Sequence, residues 1–87
     1  MKIFLAQAYI SSLKKIAKHN PQLLLKIKSK TKLFKENPNT PGLKLHKLTG
    51  ARHNQWSFSV TDDIRTLFIY ENDGVVFIKI GKHEEVY

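Results

Sequence analysis

Eighty-seven residues without a cysteine allow one domain, 1–87, and exclude a disulfide framework, a cysteine-based zinc site and a thiol nucleophile. With 41% apolar and 25% charged residues the chain reads as globular, and no apolar run nears the ~18 residues of a membrane span. The formal charge of +8 is carried by one half: residues 1–50 hold eleven lysines against Glu36 alone, and residues 51–87 hold four bases against six acids. Such asymmetry points to a polyanionic partner facing the N-terminal part of the fold, although a lysine-rich solvated helix surface gives the same count. The first residues lack the charged, apolar and small-residue regions of a signal peptide, so a cytoplasmic, metal-free and cofactor-free domain is expected.

Lys2 to Ala6 reads as a short buried strand. From Ala8 the period becomes helical, with Ile10, Leu13, Ile16 and Ala17 on one side and Lys14, Lys15 and Lys18 on the other. Asn20-Pro21 ends this helix and starts the next, with Asn as N-cap and Pro at the first helical position. The second helix runs to about Asn37 with Leu24, Ile27, Thr31 and Phe34 inward, and the two form a helical hairpin. Asn37 to Gly42 is a breaker cluster, and the residues beyond it favour strand.

Leu43 to Leu48 alternates, with Leu43 and Leu45 on one face and Lys44 and His46 on the other. Thr49 to Asn54 is a polar loop. Trp56, Phe58 and Val60 alternate with Ser57, Ser59 and Thr61, the pattern of a half-buried antiparallel strand. Asp62-Asp63 marks a turn, Arg65 to Glu71 suits a central strand, and Asn72-Asp73-Gly74 is a hairpin turn before a strand over Val75 to Ile80. The expected fold is α+β: a mainly antiparallel sheet of four to five strands, ordered β-α-α-β-β-β(-β), covered on one face by the helical hairpin.

With Asp73-Gly74 at the centre of the turn, Asn72 faces Val75, Tyr70 faces Phe77 and Arg65 faces Lys82. With Asp62-Asp63 central in the preceding turn, Val60 faces Arg65. Opposed residues have Cβ atoms about 4.5–5.5 Å apart, so paired cations at Arg65 and Lys82 ask for an anion such as phosphate. A salt bridge to Glu84 or Glu85 is the ordinary alternative. His83 supplies an imidazole suited to proton transfer near neutral pH, with His46 or His53 as a second such group. His19, at the end of the first helix, complements the helix dipole. Tyr87 is either a ring that stacks on an exposed base or an apolar plug at the sheet edge. The chain has no GxxxxGK[ST], GxGxxG or HExxH motif and no cluster of acids for a metal, which argues against two-metal hydrolysis.

Leu45-His46-Lys47-Leu48-Thr49-Gly50, then Trp56-Ser57-Phe58-Ser59-Val60, Asp63-Ile64-Arg65 and Gly81-Lys82-His83-Glu84-Glu85-Val86-Tyr87 together resemble the RelE/ParE toxin superfamily. They look most similar to its RelE/StbE and YafQ-like mRNA interferases. The resemblance covers nearly the whole chain, including the lysine-rich hairpin. It implies a bacterial type II toxin that enters the ribosomal A site and cuts mRNA without a metal. The 2′-OH attacks the adjacent phosphate, leaving a 2′,3′-cyclic phosphate and a 5′-OH.

Carried over by residue, His46 and His83 match the histidines of YafQ-like members, Arg65 the phosphate-binding arginine of RelE-type members, and Tyr87 the closing aromatic. Lys82, Lys44, Lys47 and Arg52 are then the expected substrate-binding cations. RelE-type members place lysines and arginines where YafQ-like members place histidines, and this chain mixes the sets. The glutamate base of YoeB-like members has no counterpart in Leu45–Gly50, and the roles of base and acid stay open between the histidines. A toxin also implies a cognate antitoxin, beside the ribosome and mRNA as partners. Two rival readings remain: a non-enzymatic ParE-like inhibitor of DNA gyrase, and a basic nucleic-acid-binding module without toxicity.

Overall fold

The computed structural model describes residues 1–52 and 54–87, so His53, one of the candidate second imidazoles, lies outside the described residues. Strand β1 spans Lys2–Leu5, helix α1 Gln7–His19 and helix α2 Pro21–Glu36. Strands β2 (His46–Lys47), β3 (Gln55–Ser59), β4 (Ile64–Glu71) and β5 (Gly74–Lys82) come next in the chain, and a single helical turn, α3 (His83–Val86), succeeds β5. Short 3-10 turns at Pro41–Leu43 and Gly50–Arg52 flank β2.

The break between the helices forms as its residue types require. Asn20 caps α2 by accepting from the Leu23 amide through Oδ1 at 3.1 Å, and Pro21 occupies the first turn, where no amide is needed. The inner stripe of α2 is the expected one, with Ile27 and Phe34 buried and Leu24 and Thr31 half-buried. In α1 the buried residue is Tyr9, set one position before the expected stripe, and Leu13 and Ile16 pack behind it.

The five strands form one sheet in the order β1-β5-β4-β3-β2. Three ladders are antiparallel, and β1 runs parallel to β5, so the sheet is mixed as well as mainly antiparallel. The helical hairpin covers one face. Its Phe34 lies within a set of four fully buried rings, stacked on Phe58 with centroids 4.5 Å apart and edge-on to Phe68 at 4.8 Å and Phe77 at 5.7 Å. Offset and edge contacts of this kind add to the area that the rings bury.

Two register expectations are corrected. The β4–β5 turn is centred on Asn72-Asp73, so Glu71 pairs with Gly74 and Tyr70 with Val75. Gly74 belongs to the strand because β1 crosses it: a Cβ there would lie 1.9 Å from the Lys2 carbonyl oxygen. Further along, Phe68 pairs with Phe77 and Leu67 with Lys79, leaving Ile78 as the extra residue of a bulge. Arg65 therefore faces Gly81, while Lys82 faces Ile64 on the other side of the sheet. The anion site expected between Arg65 and Lys82 does not form. Across β3, Arg65 pairs with Ser59 rather than Val60, because the loop closes through the Val60 amide to the Ile64 carbonyl at 2.8 Å. Thr61 Oγ1 stabilises that loop by accepting from the amides of Asp63 and Ile64.

The expected strand over Leu43–Leu48 is shorter than its alternation suggested. Pro41-Gly42 starts a 3-10 turn, and Lys44 takes a left-handed conformation at φ 50°, which ends regular geometry until His46.

Candidate active site

The sheet face opposite the helices carries the candidate site. Ladder partners share a face, so His46, Ser57, Leu67 and Lys79 form one row and Ser59, Arg65 and Gly81 the next. Gly81 has no side chain to cover Arg65, and α3 leads away from β5 directly beyond it.

Lys44, His46, Arg65, His83 and Tyr87 line one cavity of about 240 Å³ on this face. All four residues expected to carry the chemistry are thus brought together from separate segments of the chain. The left-handed turn at Lys44 places that lysine beside them. Lys44, His46 and His83 are exposed, whereas Arg65 and Tyr87 are half-buried. The guanidinium and the Lys44 ammonium give the cavity positive charge, and the two imidazoles give it groups that both donate and accept protons.

Tyr87 is held from two sides. Its hydroxyl is hydrogen-bonded to the hydroxyl of Ser57, which is fully buried. Its ring packs edge-on against the His83 imidazole with centroids 4.2 Å apart. The segment from His83 to Tyr87 is anchored further by Val86, which is buried, and by Arg52, whose Nη1 donates to the Val86 carbonyl at 2.7 Å. The amide of Tyr87 donates to the His83 carbonyl and closes the turn. The segment that carries His83 is therefore held at several points, and the imidazole itself packs on the Tyr87 ring.

The remaining expected cations lie elsewhere. Lys82 stands apart from the cavity, at the edge where Asp62, Asp63, His83 and Glu84 line a separate surface hollow. Lys47 points to the helix-covered side, its ammonium 5.8 Å from the centroid of the Trp56 ring. Arg52 anchors the Val86 carbonyl. Of the four expected substrate-binding cations, Lys44 alone lines the cavity with the histidines.

Ser57 and Ser59 are the residues that a reading of the sequence passed over. Both are buried, and Ser59 Oγ has no hydrogen-bond partner among the described residues. The alternation of serines with Trp56, Phe58 and Val60 placed them on the face opposite the core, but a serine there reads as solvent-facing until a segment packs over it. No group of three or more His, Cys, Asp or Glu side chains suited to a metal occurs among the described residues, and no helix among them is long and apolar enough to cross a membrane.

No protein-family model matches the chain, and no curated protein matches it. Its fold, by contrast, is shared with solved toxin structures. A YoeB/ParE toxin from Agrobacterium tumefaciens superposes with a TM-score of 0.82 at 19% identity, over 95% of this chain and 99% of that one. YafQ from E. coli strain BL21(DE3) gives 0.82 at 17% identity, over 99% and 97%. The E. coli DinJ-YafQ toxin-antitoxin complex gives 0.76 at 19% identity, over 99% and 96%. The chain has the fold of the RelE/ParE toxins, YafQ among them, as the resemblance of its motifs led us to expect.

Proposed function

We propose that this protein is the toxin of a type II toxin–antitoxin pair and acts as a ribosome-dependent, metal-independent endoribonuclease on mRNA in the A site. The observation that carries this reading is the cavity that joins His46 and His83 to Arg65 and Lys44. Phosphodiester cleavage by an internal nucleophile needs a proton acceptor, a proton donor and a cation for the developing charge, and these side chains supply all three.

In the proposed reaction the 2′-oxygen forms a bond to the adjacent phosphorus as its proton passes to one imidazole. The bond from phosphorus to the 5′-oxygen breaks, and the other imidazole protonates that leaving oxygen. The products are a 2′,3′-cyclic phosphate and a 5′-OH. Arg65 donates to the non-bridging oxygens, whose charge grows in the transition state, in the planar paired geometry that suits phosphate. Lys44 adds a second positive charge on the same side. Tyr87, fixed by Ser57, holds the His83 ring in place.

The lysine-rich hairpin supports contact with ribosomal RNA, and the structural neighbour solved as a toxin-antitoxin complex supports a cognate antitoxin as partner. The YoeB/ParE name of another neighbour keeps a ParE-like inhibitor of DNA gyrase as the alternative. Induced expression followed by pulse-labelling separates the two. Arrest of protein synthesis without double-strand DNA breaks supports the nuclease; DNA breaks with protein synthesis intact support the gyrase inhibitor.

A further inference from the structure

A second cavity, of about 400 Å³, lies against the first and shares Lys44 with it. Lys26 and Lys30 of α2 reach it from one side, and Ser59 and the β3–β4 loop form the other. Gly42 lines the cavity beside the Lys30 ammonium, which lies 3.9 Å from where a Cβ on that glycine would stand. No ion pair among the described residues neutralises Lys26, Lys30 or Lys44.

Ser59 is the independent sign of a ligand. It is 5% exposed, it lines this cavity, and its Oγ has no hydrogen-bond partner among the described residues. Thr31, Thr66 and Gln55 also carry a buried side-chain oxygen without a partner among the described residues, but Ser59 is the one of the four that lines this cavity, and a ligand oxygen is one way to satisfy it. Ser59 is also the ladder partner of Arg65, which lines the first cavity. The two cavities therefore meet across one pair of adjacent residues. Asp62 and Asp63 line the second cavity as well, so its positive excess depends on the Lys44 that it shares with the first.

We propose that Lys26, Lys30 and Ser59 form a subsite for the backbone phosphodiester next to the scissile one on the same single RNA strand. The inference rests on the nuclease reading for the identity of the strand. It gives the message a direction across the protein, from the cleft at Arg65 towards α2.

The test is fluorescence anisotropy with a labelled, uncleavable 2′-O-methyl RNA hexanucleotide, measured across a salt series. Ribosomal cleavage is followed in parallel for the same proteins. Losing one phosphate contact reduces the slope of log K against log[salt] by about 0.7 for a single strand. Lys26→Gln/Lys30→Gln is expected to show that reduction. Lys28→Gln/Lys32→Gln removes the same charge from the helix side that lines a different, apolar groove, and is expected to leave the slope unchanged. Ser59→Ala is expected to weaken binding roughly threefold to tenfold, the range of one neutral hydrogen bond, without changing the slope.

Equal slope losses in both lysine pairs overturn the subsite, and ribosomal cleavage by the wild type then leaves the nuclease reading standing. A slope loss confined to Lys26 and Lys30, in a protein that does not cleave on ribosomes, upholds the phosphate site while the nuclease reading fails. Loss of ribosome binding with hexanucleotide affinity intact assigns the lysines to ribosomal RNA and overturns the inference. So does failure of the folded wild type to bind the hexanucleotide.

Discussion

The hydroxyls of Tyr87 and Ser57 are hydrogen-bonded to each other across thirty positions of sequence, which ties the segment after β5 to the middle of β3. Because Tyr87 also packs on His83, this bond sets where the imidazole stands over the sheet. Tyr87→Phe leaves the buried Ser57 hydroxyl without its partner and is expected to cost about 1–2 kcal/mol of stability. If positioning of His83 weakens by a similar amount, cleavage falls about tenfold. Urea denaturation and single-turnover cleavage on ribosomes read the two effects separately. Ser57→Ala removes the buried hydroxyl along with its hydrogen bond, so it is expected to cost less stability than Tyr87→Phe while slowing cleavage to a similar degree.

Phe34 joins the hairpin to the sheet through three ring contacts and is fully buried. Phe34→Ala is expected to cost about 3–5 kcal/mol, most of the stability of a domain this small. Chemical denaturation checks this, with an expected midpoint near or below zero denaturant. Phe34→Leu, which keeps most of the volume, is expected to fold.

Gly74→Ala tests why that glycine stands where it does. The added Cβ would lie 1.9 Å from the Lys2 carbonyl oxygen, which is backbone and cannot swing aside. The parallel β1–β5 ladder is expected to part, while the β4–β5 hairpin keeps its register. Amide hydrogen exchange reports this as lost protection in β1 with protection retained in β4.

Burial pushes the Tyr9 phenol above its ordinary value of 10.0. The unfolded chain therefore loses this proton at lower pH than the folded one. The native state holds more protons above about pH 10, so stability falls as pH rises through that range, and Tyr9 has no effect on the slope below it. Denaturation midpoints between pH 8 and 11 are expected to drop for the wild type. Tyr9→Phe is expected to show a shallower drop, with Tyr70, whose phenol burial also pushes up, contributing to the remainder.

Local signals carried the parts of the fold that could be read from the sequence. Asn20-Pro21 defines the helix break through a cap and a missing amide, both properties of neighbouring residues. The spacing of Leu24, Ile27, Thr31 and Phe34 defines the buried side of α2 in the same way. Gly74 misled because Asp-Gly is a turn signal, whereas the demand on this glycine comes from Lys2 on a strand at the far end of the chain. The bulge at Ile78 shifts register by one residue without any glycine or proline to mark it. The turn centred on Asn72-Asp73 had displaced the register by two residues and the bulge restores one, so Arg65 faces Gly81 and the expected pair with Lys82 is lost.

The candidate site was legible in the residues that line its cavity and not in those that support them. His46, Arg65, His83 and Tyr87 stood out by chemistry and by motif, and they line one cavity. Ser57 and Ser59 did not, because their burial depends on the segments that pack over the sheet. Arg52 was counted among the cations for substrate, but its guanidinium is engaged by the Val86 carbonyl. A cation read from sequence has a charge; only the fold supplies its partner.

The most direct test of the central claim is primer extension on a defined message in a reconstituted translation system, with wild type and His83→Ala compared at equal folded concentration. Cleavage in the A-site codon by the wild type is expected only when ribosomes are present, and its loss is expected in His83→Ala. Absence of cleavage by a folded wild type on programmed ribosomes contradicts the nuclease reading. Undiminished cleavage by His83→Ala contradicts the place given to His83.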